Sequence, residues 1–196
     1  RKRRGKNLFF SEDIEKGIRE ADIIFVSVNT PTKTFGQGAG MAADLQYWEK
    51  TARQILDCAD SSKIIVEKST LPVRTARAME RILTSKNHHI HFDVVSNPEF
   101  LKEGDAINDF LKPDRVVVGS DDEETTEKMR SLYAPFFRSS MDRLITMDVR
   151  SAEMTKYVAN AMLATKISFM NEIANICERV GANVRDVRLG IGADHR

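Results

Sequence analysis

The sequence has few cysteines and prolines and no long hydrophobic run. It contains 2 cysteines and 5 prolines among 196 residues, and Cys58 and Cys177 stand far apart with no paired spacing. This pattern excludes a disulfide framework and a cysteine zinc site. We therefore expect a reducing, cytoplasmic setting in which both cysteines are buried structural thiols. No apolar run reaches the roughly 18 residues that a membrane span needs, so no membrane partner is expected.

An excess of charge of one sign is also missing, because 30 basic residues face 29 acidic residues and the net charge is +1. The basic start Arg1–Arg4 suggests either a nucleic-acid arm or a solvated segment near a chain end. With so little net charge and nothing basic after it, we favour the solvated segment and expect no nucleic-acid partner. The polar stretch Gly5–Asn7 follows where a secretory signal would place its apolar region.

The sequence lacks two motifs that are common in cofactor-dependent enzymes. No G-x-G-x-x-G follows a predicted strand, since Gly36, Gly38 and Gly40 have the wrong spacing and come after a later strand. Neither cysteine falls in a loop where it could act as an activated nucleophile. No metal is expected either, because the four histidines show no metal-ligand spacing: His88, His89, His91 and His195.

Strand-like and helix-like segments do alternate along residues 1–148. The apolar run Ile23–Val28 is too short for a helix and rich in β-branched residues, which predicts a strand buried on both faces of a parallel sheet. The alternation predicts a doubly wound α/β sheet. We expect parallel neighbours at 22–28, 63–69, 92–97 and 115–119, and further short strands at 7–10 and 144–146.

Two helices of this region are predicted with definite ends. Ser11 is expected to cap the first helix, with Glu12 and Asp13 in the first turn, where the helix dipole favours acids. A later helix is expected over 123–136. Its inward residues would be Met129, Leu132, Tyr133 and Phe136.

From Ser151 the pattern changes to one long helix. Apolar residues keep helical spacing up to Gly181, a residue typical of the position after a helix end. Roughly 30 residues at 1.5 Å rise make about 45 Å of helix, which is long for one domain. Such a helix favours a link between domains or the core of a dimer. We therefore expect the α/β domain in 1–148 and the start of a helical region in 149–196.

Three segments change at once from apolar to polar where a predicted strand ends. They are Val28–Thr32, Glu67–Pro72 and Ser96–Gly104, and each carries a proline together with hydroxyl, amide or carboxylate groups. One such segment alone would be an ordinary turn. In open α/β sheets, ligands bind beyond the carboxyl ends of the strands. The three segments together therefore predict a ligand site with Thr30, Thr70 and Glu99 at one edge of the sheet.

Two pairs of polar residues at i, i+4 spacing are candidate catalytic groups. If Pro98 begins a helical turn, Glu99 and Glu103 project from one face and can divide acid and base work; otherwise they are two solvated acids. Lys156 and Asn160 lie near the start of the long helix. They can stabilise a developing oxyanion, or the lysine can extend from the edge of the core to water. Spacing leaves both alternatives open for each pair.

The same segments resemble conserved blocks of the nucleotide-sugar 6-dehydrogenases, in order and spacing, over essentially the whole chain. Together the blocks are specific, although each alone is weak. The loop 28–34 and the stretches 42–45 and 47–49 are most similar to the UDP-glucose members. The blocks are Asn29-Thr30-Pro31-Thr32, Glu67-Lys68-Ser69-Thr70, Ser96-Asn97-Pro98-Glu99-Phe100-Leu101, Pro113-Asp114-Arg115 and Lys156-Tyr157-Val158-Ala159-Asn160-Ala161.

The resemblance implies a partial Rossmann-like, NAD-binding domain in 1–148 and the start of an all-α central dimerisation region in 149–196. It implies oxidation of UDP-glucose at C6 by two successive hydride transfers to two NAD⁺, in which a cysteine traps the intermediate aldehyde and the resulting thioester is hydrolysed to UDP-glucuronate. A homo-oligomer built on the long helix is implied as well. Because the glycine fingerprint and the nucleophile loop are missing here, we expect the chain to be an internal fragment that is inactive alone.

The resemblance also implies roles for individual residues. The nicotinamide half of NAD would meet Val28, Asn29, Thr30, Pro31, Thr32, Ser69, Thr70, Leu71 and Glu103. Glu99 would be an acid/base group working through a water near Thr70, and Lys156 and Asn160 would stabilise oxyanions. The sugar nucleotide would contact Glu99, Phe100, Leu101, Lys102, Glu103, Lys156, Tyr157, Val158, Ala159 and Asn160, and Arg196 would reach the substrate of a neighbouring subunit.

Two rival functions stay open at this point. Within the class, the chain could act on GDP-mannose or a UDP-N-acetylhexosamine, since the sugar-binding region that decides between them is missing here. From another class, it could be a non-catalytic remnant that binds a dimer partner through its long helix. Lys102 departs from the small residue common in the family, which puts substrate preference in doubt if its side chain turns inward.

Overall fold

The computed structural model of the protein describes residues 2–86, 89–137 and 141–194. The chain forms two compact units, residues 1–156 and 157–196. Helices and strands alternate through the first unit, and the second is helical. The elements are α1 (Ile14–Glu20), β1 (Ile23–Val26), α2 (Gln46–Cys58), β2 (Lys63–Glu67), α3 (Thr75–Leu83), β3 (Phe92–Ser96), α4 (Ala106–Leu111), β4 (Val116–Gly119), α5 (Glu123–Tyr133), β5 (Leu144–Met147), α6 (Val149–Val180) and α7 (Val184–Gly192).

The five strands form one sheet in the order β1-β2-β3-β4-β5. The first three are parallel, with Ile24 opposite Ile65 and Ile65 opposite Val94. The polar loops that follow β1, β2 and β3 therefore leave the sheet at the same edge. This confirms the α/β class and the predicted order of the first three strands.

The predicted parallel pairing of the segment 115–119 is wrong. β4 runs antiparallel to β3, with Ser96 opposite Gly119, and β5 is parallel to β4. A parallel return would need a crossover helix packed on the sheet, but α4 has six residues and none of them is buried. The chain consequently enters β4 at the edge where it left β3. This places the block Pro113-Asp114-Arg115 beside the loop that follows β3.

Both faces of the sheet are covered, because alternate residues of a strand point to opposite faces. On one face, Ile65 packs in a cluster with Trp48 and Ile55 of α2 and Met79 of α3. On the other face, neighbours of Ile65 in β2 pack with α5: Ile64, Val66, Met129 and Tyr133. This two-layer covering is the doubly wound arrangement that the continuous apolar strands predict.

The long helix α6 extends over 32 residues, close to the predicted length. It ends where Gly181 adopts φ 74° and the amide of Ala182 donates to the carbonyl of Cys177 at 2.9 Å. This is a Schellman end, which favours glycine because the left-handed conformation strains other residues. Among the described residues, no helix is long and apolar enough to cross a membrane.

Two local predictions are wrong. Residues 7–10 form no strand: Leu8 makes an isolated bridge to Arg4, and Phe9 and Phe10 are exposed with no neighbouring strand to pair with. The first helix is capped by Asp13, whose carboxylate accepts from the amide of Lys16, while Ser11 accepts from the amide of Asp13.

The helix predicted over 123–136 also ends early. α5 stops at Tyr133, and Ala134–Phe136 form a 3₁₀ turn instead. Pro135 has no amide hydrogen and disfavours the α conformation in the residue before it, which accounts for the change. Leu132 and Phe136 are accordingly partly exposed rather than inward.

Candidate functional site

Thr30, Thr70 and Glu99 lie at one edge of the sheet, as the order of the loops predicts. They line a cleft of about 420 Å³ together with Val28, Asn29 and Ser69. The Ser69 hydroxyl donates to the carbonyl of Val28 at 2.8 Å, and the Thr30 hydroxyl donates to the carbonyl of Thr70 at 3.4 Å. The side chains at the ends of β1 and β2 thus fix each other's loops and leave a cleft of ligand size between them.

Three other residues predicted to contact the cofactor, Pro31, Thr32 and Leu71, do not line this cleft themselves. The carbonyl of Pro31 accepts a hydrogen bond from the amide of Asp44 at 2.7 Å, and Thr32 forms an isolated bridge with Ala43. Both residues therefore lie at the base of the loop 33–42, which contains Gly36, Gly38 and Gly40. Leu71 is 5% exposed and packs in the hydrophobic core. These three residues shape the loops around the cleft.

Lys156, Glu99 and Thr70 form the central contact of the site. The Lys156 ammonium donates to the backbone carbonyl of Glu99 and lies 3.6 Å from the Glu99 carboxylate oxygen Oε1. The Thr70 hydroxyl donates to the same oxygen at 3.2 Å. Glu99 Oε2 is buried and has no hydrogen-bond partner among the described residues. The carboxylate is therefore held through Oε1, while Oε2 is shielded from solvent.

The burial of Lys156 argues against the second interpretation of this lysine, in which its ammonium extends to water. Its side chain is 10% exposed, and its ammonium contacts the groups of Glu99 rather than water. A lysine that extends to solvent would have an exposed ammonium, so that reading is wrong. Asn160 lies one turn further along α6, in the second unit, and is exposed.

Phe100 carries two cations on its ring. The Arg115 guanidinium lies 4.0 Å from the ring centroid and the Lys156 ammonium lies 5.4 Å from it. Both distances are within the range of a cation–π contact. Arg115 reaches the ring because β4 runs antiparallel and begins at this edge. The side chain of Phe100 thereby fixes the backbone beside Glu99.

The helical turn on which the pairing of Glu99 with Glu103 depended does not form. Residues 97–102 form no helical turn, because the amide of Asn97 donates to the carbonyl of Glu67 at 2.9 Å and continues the sheet pairing. Glu103 falls in the following turn and is exposed. The two carboxylates consequently share no helical face, and no contact joins them among the described residues.

Lys102 and Leu101 occupy the outer side of this loop. The Lys102 side chain is 72% exposed, and its ammonium lies 3.3 Å from the carboxylate of Asp109 in α4. Its amide donates to the same carboxylate at 2.7 Å. The doubt that an inward Lys102 would raise about substrate preference therefore does not arise. Leu101 lines the cleft and is 40% exposed.

The remaining predicted substrate residues are in the second unit. Tyr157, Val158 and Ala159 follow Lys156 on α6, and the first two are exposed. Arg196 lies outside the described residues.

Matches to families of known proteins agree with this geometry. The NAD-binding domain of the UDP-glucose/GDP-mannose dehydrogenase family matches residues 1–137, and the central domain of that family matches residues 150–196. The chain belongs to the UDP-glucose/GDP-mannose dehydrogenase family. The resemblance drawn from the sequence blocks is thus confirmed at the level of the family.

Individual members of the family give the same result. UDP-glucose 6-dehydrogenase 3 of Oryza sativa subsp. japonica is 53% identical over 197 residues, which cover 98% of this chain and 41% of the relative. A UDP-glucose dehydrogenase from the archaeon Pyrobaculum islandicum superposes with a TM-score of 0.80 at 34% identity, over 94% of this chain and 42% of that structure. A GDP-mannose dehydrogenase from Pseudomonas aeruginosa gives a TM-score of 0.79 at 32% identity, over 95% of this chain and 42% of that structure. The chain therefore spans well under half the length of these family members.

Sequence reasoning missed a polar network beneath the family's cleft. Asn97 is fully buried, and its side-chain amide nitrogen Nδ2 donates to the carbonyl of Val117 at 2.7 Å. Its side-chain oxygen Oδ1 accepts from the Lys68 ammonium at 3.2 Å and from the Tyr133 hydroxyl. Burial lowers the pKa of Lys68 to about 8, against the opposing effect of Glu99, and raises the pKa of Tyr133 to about 12. Lys68 and Asn97 stand within the quoted blocks, and that position was the available signal.

A second missed group lies under the loop that follows β2. Glu67 is buried, and its Oε1 accepts from the Trp48 indole at 3.1 Å. Burial and the nearby carboxylate of Glu153 raise the pKa of Glu67 to about 8. Glu153 itself is buried in the first turns of α6. Glu67 opens the quoted block 67–70, and that position was the available signal for it, whereas Glu153 stands in an ordinary helix pattern that no sequence signal marked.

Proposed function

We propose that the protein containing this chain is an NAD-dependent UDP-glucose 6-dehydrogenase. It would oxidise C6 of UDP-glucose twice: a cysteine would trap the aldehyde from the first oxidation, the second oxidation would give a thioester, and water would hydrolyse it to UDP-glucuronate. The carrying observation is the contact of Lys156, Glu99 and Thr70 beside a ligand-sized cleft. The 53% identity to a UDP-glucose 6-dehydrogenase supports glucose over the sugars of more distant family members.

The residues of this edge suit the proposed chemistry. The Lys156 ammonium is a positioned donor that can stabilise negative charge on the oxygen at C6. The Glu99 carboxylate is proposed as the proton acceptor for that hydroxyl or for the water that later cleaves the thioester. The Thr70 hydroxyl keeps the Glu99 carboxylate in one orientation, so the side chain need not reorient before proton transfer. Asn160, Phe100 and Leu101 are proposed as further substrate contacts, with Tyr157, Val158, Ala159, Glu103, Lys102 and Arg196.

The loops present fit the nicotinamide half of NAD. Val28–Thr30 and Ser69–Thr70 lie at the carboxyl ends of adjacent parallel strands, where doubly wound sheets bind dinucleotides. Bound there, NAD⁺ would supply the hydride acceptor. Thr30 and Ser69 hold the loop backbones through their hydroxyls, and the cleft walls would limit water around the reacting carbon.

The arrangement of the whole protein is also a proposal. We place the NAD-binding domain in residues 1–148 and the start of the central dimerisation domain in 149–196, supported by the two family matches. Exposed apolar residues along α6, among them Val158, Met162 and Ile167, support a homo-oligomer formed through this helix. Both cysteines are free thiols, which suits a cytoplasmic setting.

Turnover by the full-length protein tests the proposal. The protein would be supplied with NAD⁺ and, separately, UDP-glucose, GDP-mannose and a UDP-N-acetylhexosamine, with NADH followed by absorbance. We expect two NADH for each UDP-glucose consumed and much slower reaction with the other sugars. Preference for another sugar would move the protein to a different branch of the family. Absence of turnover with all three would support a non-catalytic dimer partner instead.

A further inference from the structure

The amino end of α3 is capped by a residue from a distant part of the chain. Its own cap residue, Arg74, makes no side-chain hydrogen bond to the helix. Instead, Glu153 of α6 accepts the amide of Arg74 at 2.7 Å through Oε2 and the amide of Ala76 at 2.9 Å through Oε1. Glu153 is 3% exposed, so both bonds are shielded from water. A buried carboxylate held by two backbone amides at a helix start is a strong, directional contact.

This contact holds a strained piece of backbone. Arg74 has φ 80°, and it is the one residue other than glycine with a positive φ in the part of the chain that the structure describes. Side chains disfavour the left-handed conformation, so a neighbouring interaction has to stabilise it. The two hydrogen bonds that Glu153 accepts, from the amides of Arg74 and Ala76, lie before and after the strained residue and stabilise its conformation.

Both residues joined by this contact are close along the chain to residues of the candidate site. On α6, Lys156 follows Glu153 by three residues and therefore lies on the same side of the helix. On the other side, Thr70 precedes Arg74 by four residues in the loop that joins β2 to α3. Lys156 and Thr70 both contact Glu99, and Arg74 contacts Glu153. Together with the chain segments 70–74 and 153–156, these three contacts close a ring.

We propose that Glu153 is a positioning residue, which fixes the loop carrying Thr70 relative to Lys156 and so sets the geometry of Glu99 between them. It touches neither Glu99 nor the cleft and acts through the backbone of Arg74 and Ala76. The kinetic part of this inference rests on the proposed function. The structural part, in which the loop 69–71 depends on Glu153, does not.

The test uses the full-length protein and the isosteric substitution Glu153→Gln. One carboxylate oxygen becomes an NH₂ group, so one of the two amides loses its acceptor. We expect faster hydrogen exchange of the amides of Arg74 and Ala76 and also of residues 69–71. A displacement of this kind in the loop should lower kcat by about 10- to 100-fold while KM for UDP-glucose changes by less than about threefold. Glu80→Gln is the matched control, since Glu80 lies on α3 and its carboxylate accepts no amide of the helix start.

A second substitution separates positioning from simple loss of stability. Glycine adopts the left-handed conformation without steric cost, so Arg74→Gly should compensate for the missing acceptor. We expect the double variant Glu153→Gln with Arg74→Gly to regain at least about threefold in kcat over Glu153→Gln, a non-additive effect typical of coupled residues. If Glu153→Gln does not fold, the double variant is compared with Arg74→Gly instead.

Two results would overturn the inference. In the first, exchange rises at Arg74 and Ala76 alone and kcat stays within about twofold of wild type while Tm falls, which is the behaviour of an ordinary helix cap. In the second, Arg74→Gly restores nothing in the double variant. If the wild-type protein does not oxidise UDP-glucose, the proposed function fails, and exchange at residues 69–71 decides the inference alone.

Discussion

Lys156 occupies a position that stability alone does not favour. Its side chain is 10% exposed, and its ammonium has a carboxylate oxygen at 3.6 Å and the carbonyl of Glu99 as partners. Burying such a group costs free energy that one ion pair does not always offset, so the pair is weak evidence for a stabilising role. A buried charged pair at the edge of a cleft is better explained by work on a ligand. A mutation here should therefore affect turnover more than folding.

We expect Lys156→Ala in the full-length protein to lower kcat for UDP-glucose by about 10²–10³, because one positioned oxyanion donor is typically worth that much. NAD⁺ affinity, followed by fluorescence titration, should stay nearly unchanged. Lys128→Ala is a suitable control, since that lysine is exposed and paired with Glu124. A lowered Tm with normal turnover would instead give Lys156 a purely structural role.

Glu67 makes a pH-dependent contribution to stability with a definite sign. Burial, and then Glu153, raise its pKa from 4.5 to about 8. Between those two pH values the folded protein keeps a proton that the unfolded chain releases, so the free energy of unfolding falls as pH rises from 4.5 to 8. Glu67→Gln keeps an acceptor for Trp48 and removes the titration. We expect a flatter dependence in urea unfolding and a more stable variant at the alkaline end.

Glu49→Gln is the control for this experiment, because it also removes one carboxylate, but from an exposed position on α2. An unchanged slope in Glu67→Gln would mean that Glu67 is ionised in the folded protein, with a counter-charge that the present contacts do not include.

At the scale of elements, the sequence predicted strands better than their directions. β2 and β3 are short runs rich in Ile and Val that are largely buried on both faces, and such burial requires that pattern, whereas Phe25 of β1 is exposed. The run in β4 has the same pattern, which carries no information on direction. Direction depends on whether the connection 97–115 crosses the sheet, and α4 is too short and too exposed to do so. Contacts such as Glu153 with Arg74 join residues 79 apart in sequence, beyond any local pattern.

The packing of β4 on α6 yields a prediction about a glycine. A Cβ added to Gly119 would lie 2.4 Å from Cβ of Ala152 and 3.0 Å from Cα of Val149. Backbone and a helix side chain would both have to move, so we expect Gly119→Ala to destabilise the fold by about 1–3 kcal/mol. Gly17→Ala is the control: Gly17 lies in α1 with nothing within 4 Å of the added Cβ. That substitution should stabilise by roughly 0.5–1 kcal/mol.

Chemical denaturation of the two glycine variants measures both effects. If Gly119→Ala were as stable as wild type, the first turn of α6 would have to lie further from β4 than the structure places it.

At the scale of the whole molecule, the position of the candidate site could be predicted from the sequence, but the contacts within it could not. The edge holding Thr30, Thr70 and Glu99 follows from loops that share the carboxyl ends of parallel strands. The partner of Lys156 could not be predicted, because it depends on where α6 crosses that edge. The helical turn expected to bring Glu99 and Glu103 to one face is absent for a related reason, since sheet pairing of Asn97 keeps the following loop extended.

The last prediction concerns residues 1–196 expressed as an isolated polypeptide. Tight NAD binding in doubly wound folds depends on a glycine-rich first turn, and these residues contain no G-x-G-x-x-G. Thioester formation needs a thiolate at C6, but Cys58 lies at the end of α2 and Cys177 is buried in α6, and neither lines the cleft. We therefore expect no sustained NADH formation from saturating UDP-glucose and NAD⁺, whereas the full-length protein should turn over under the same conditions. Residues 28–32 and 69–71 still lie at the same edge, so weak binding of NAD⁺ is compatible with this expectation and catalysis is not. Continuous turnover by the isolated polypeptide would require a complete cofactor site and a nucleophile within these residues, and the proposed thioester route would then be wrong.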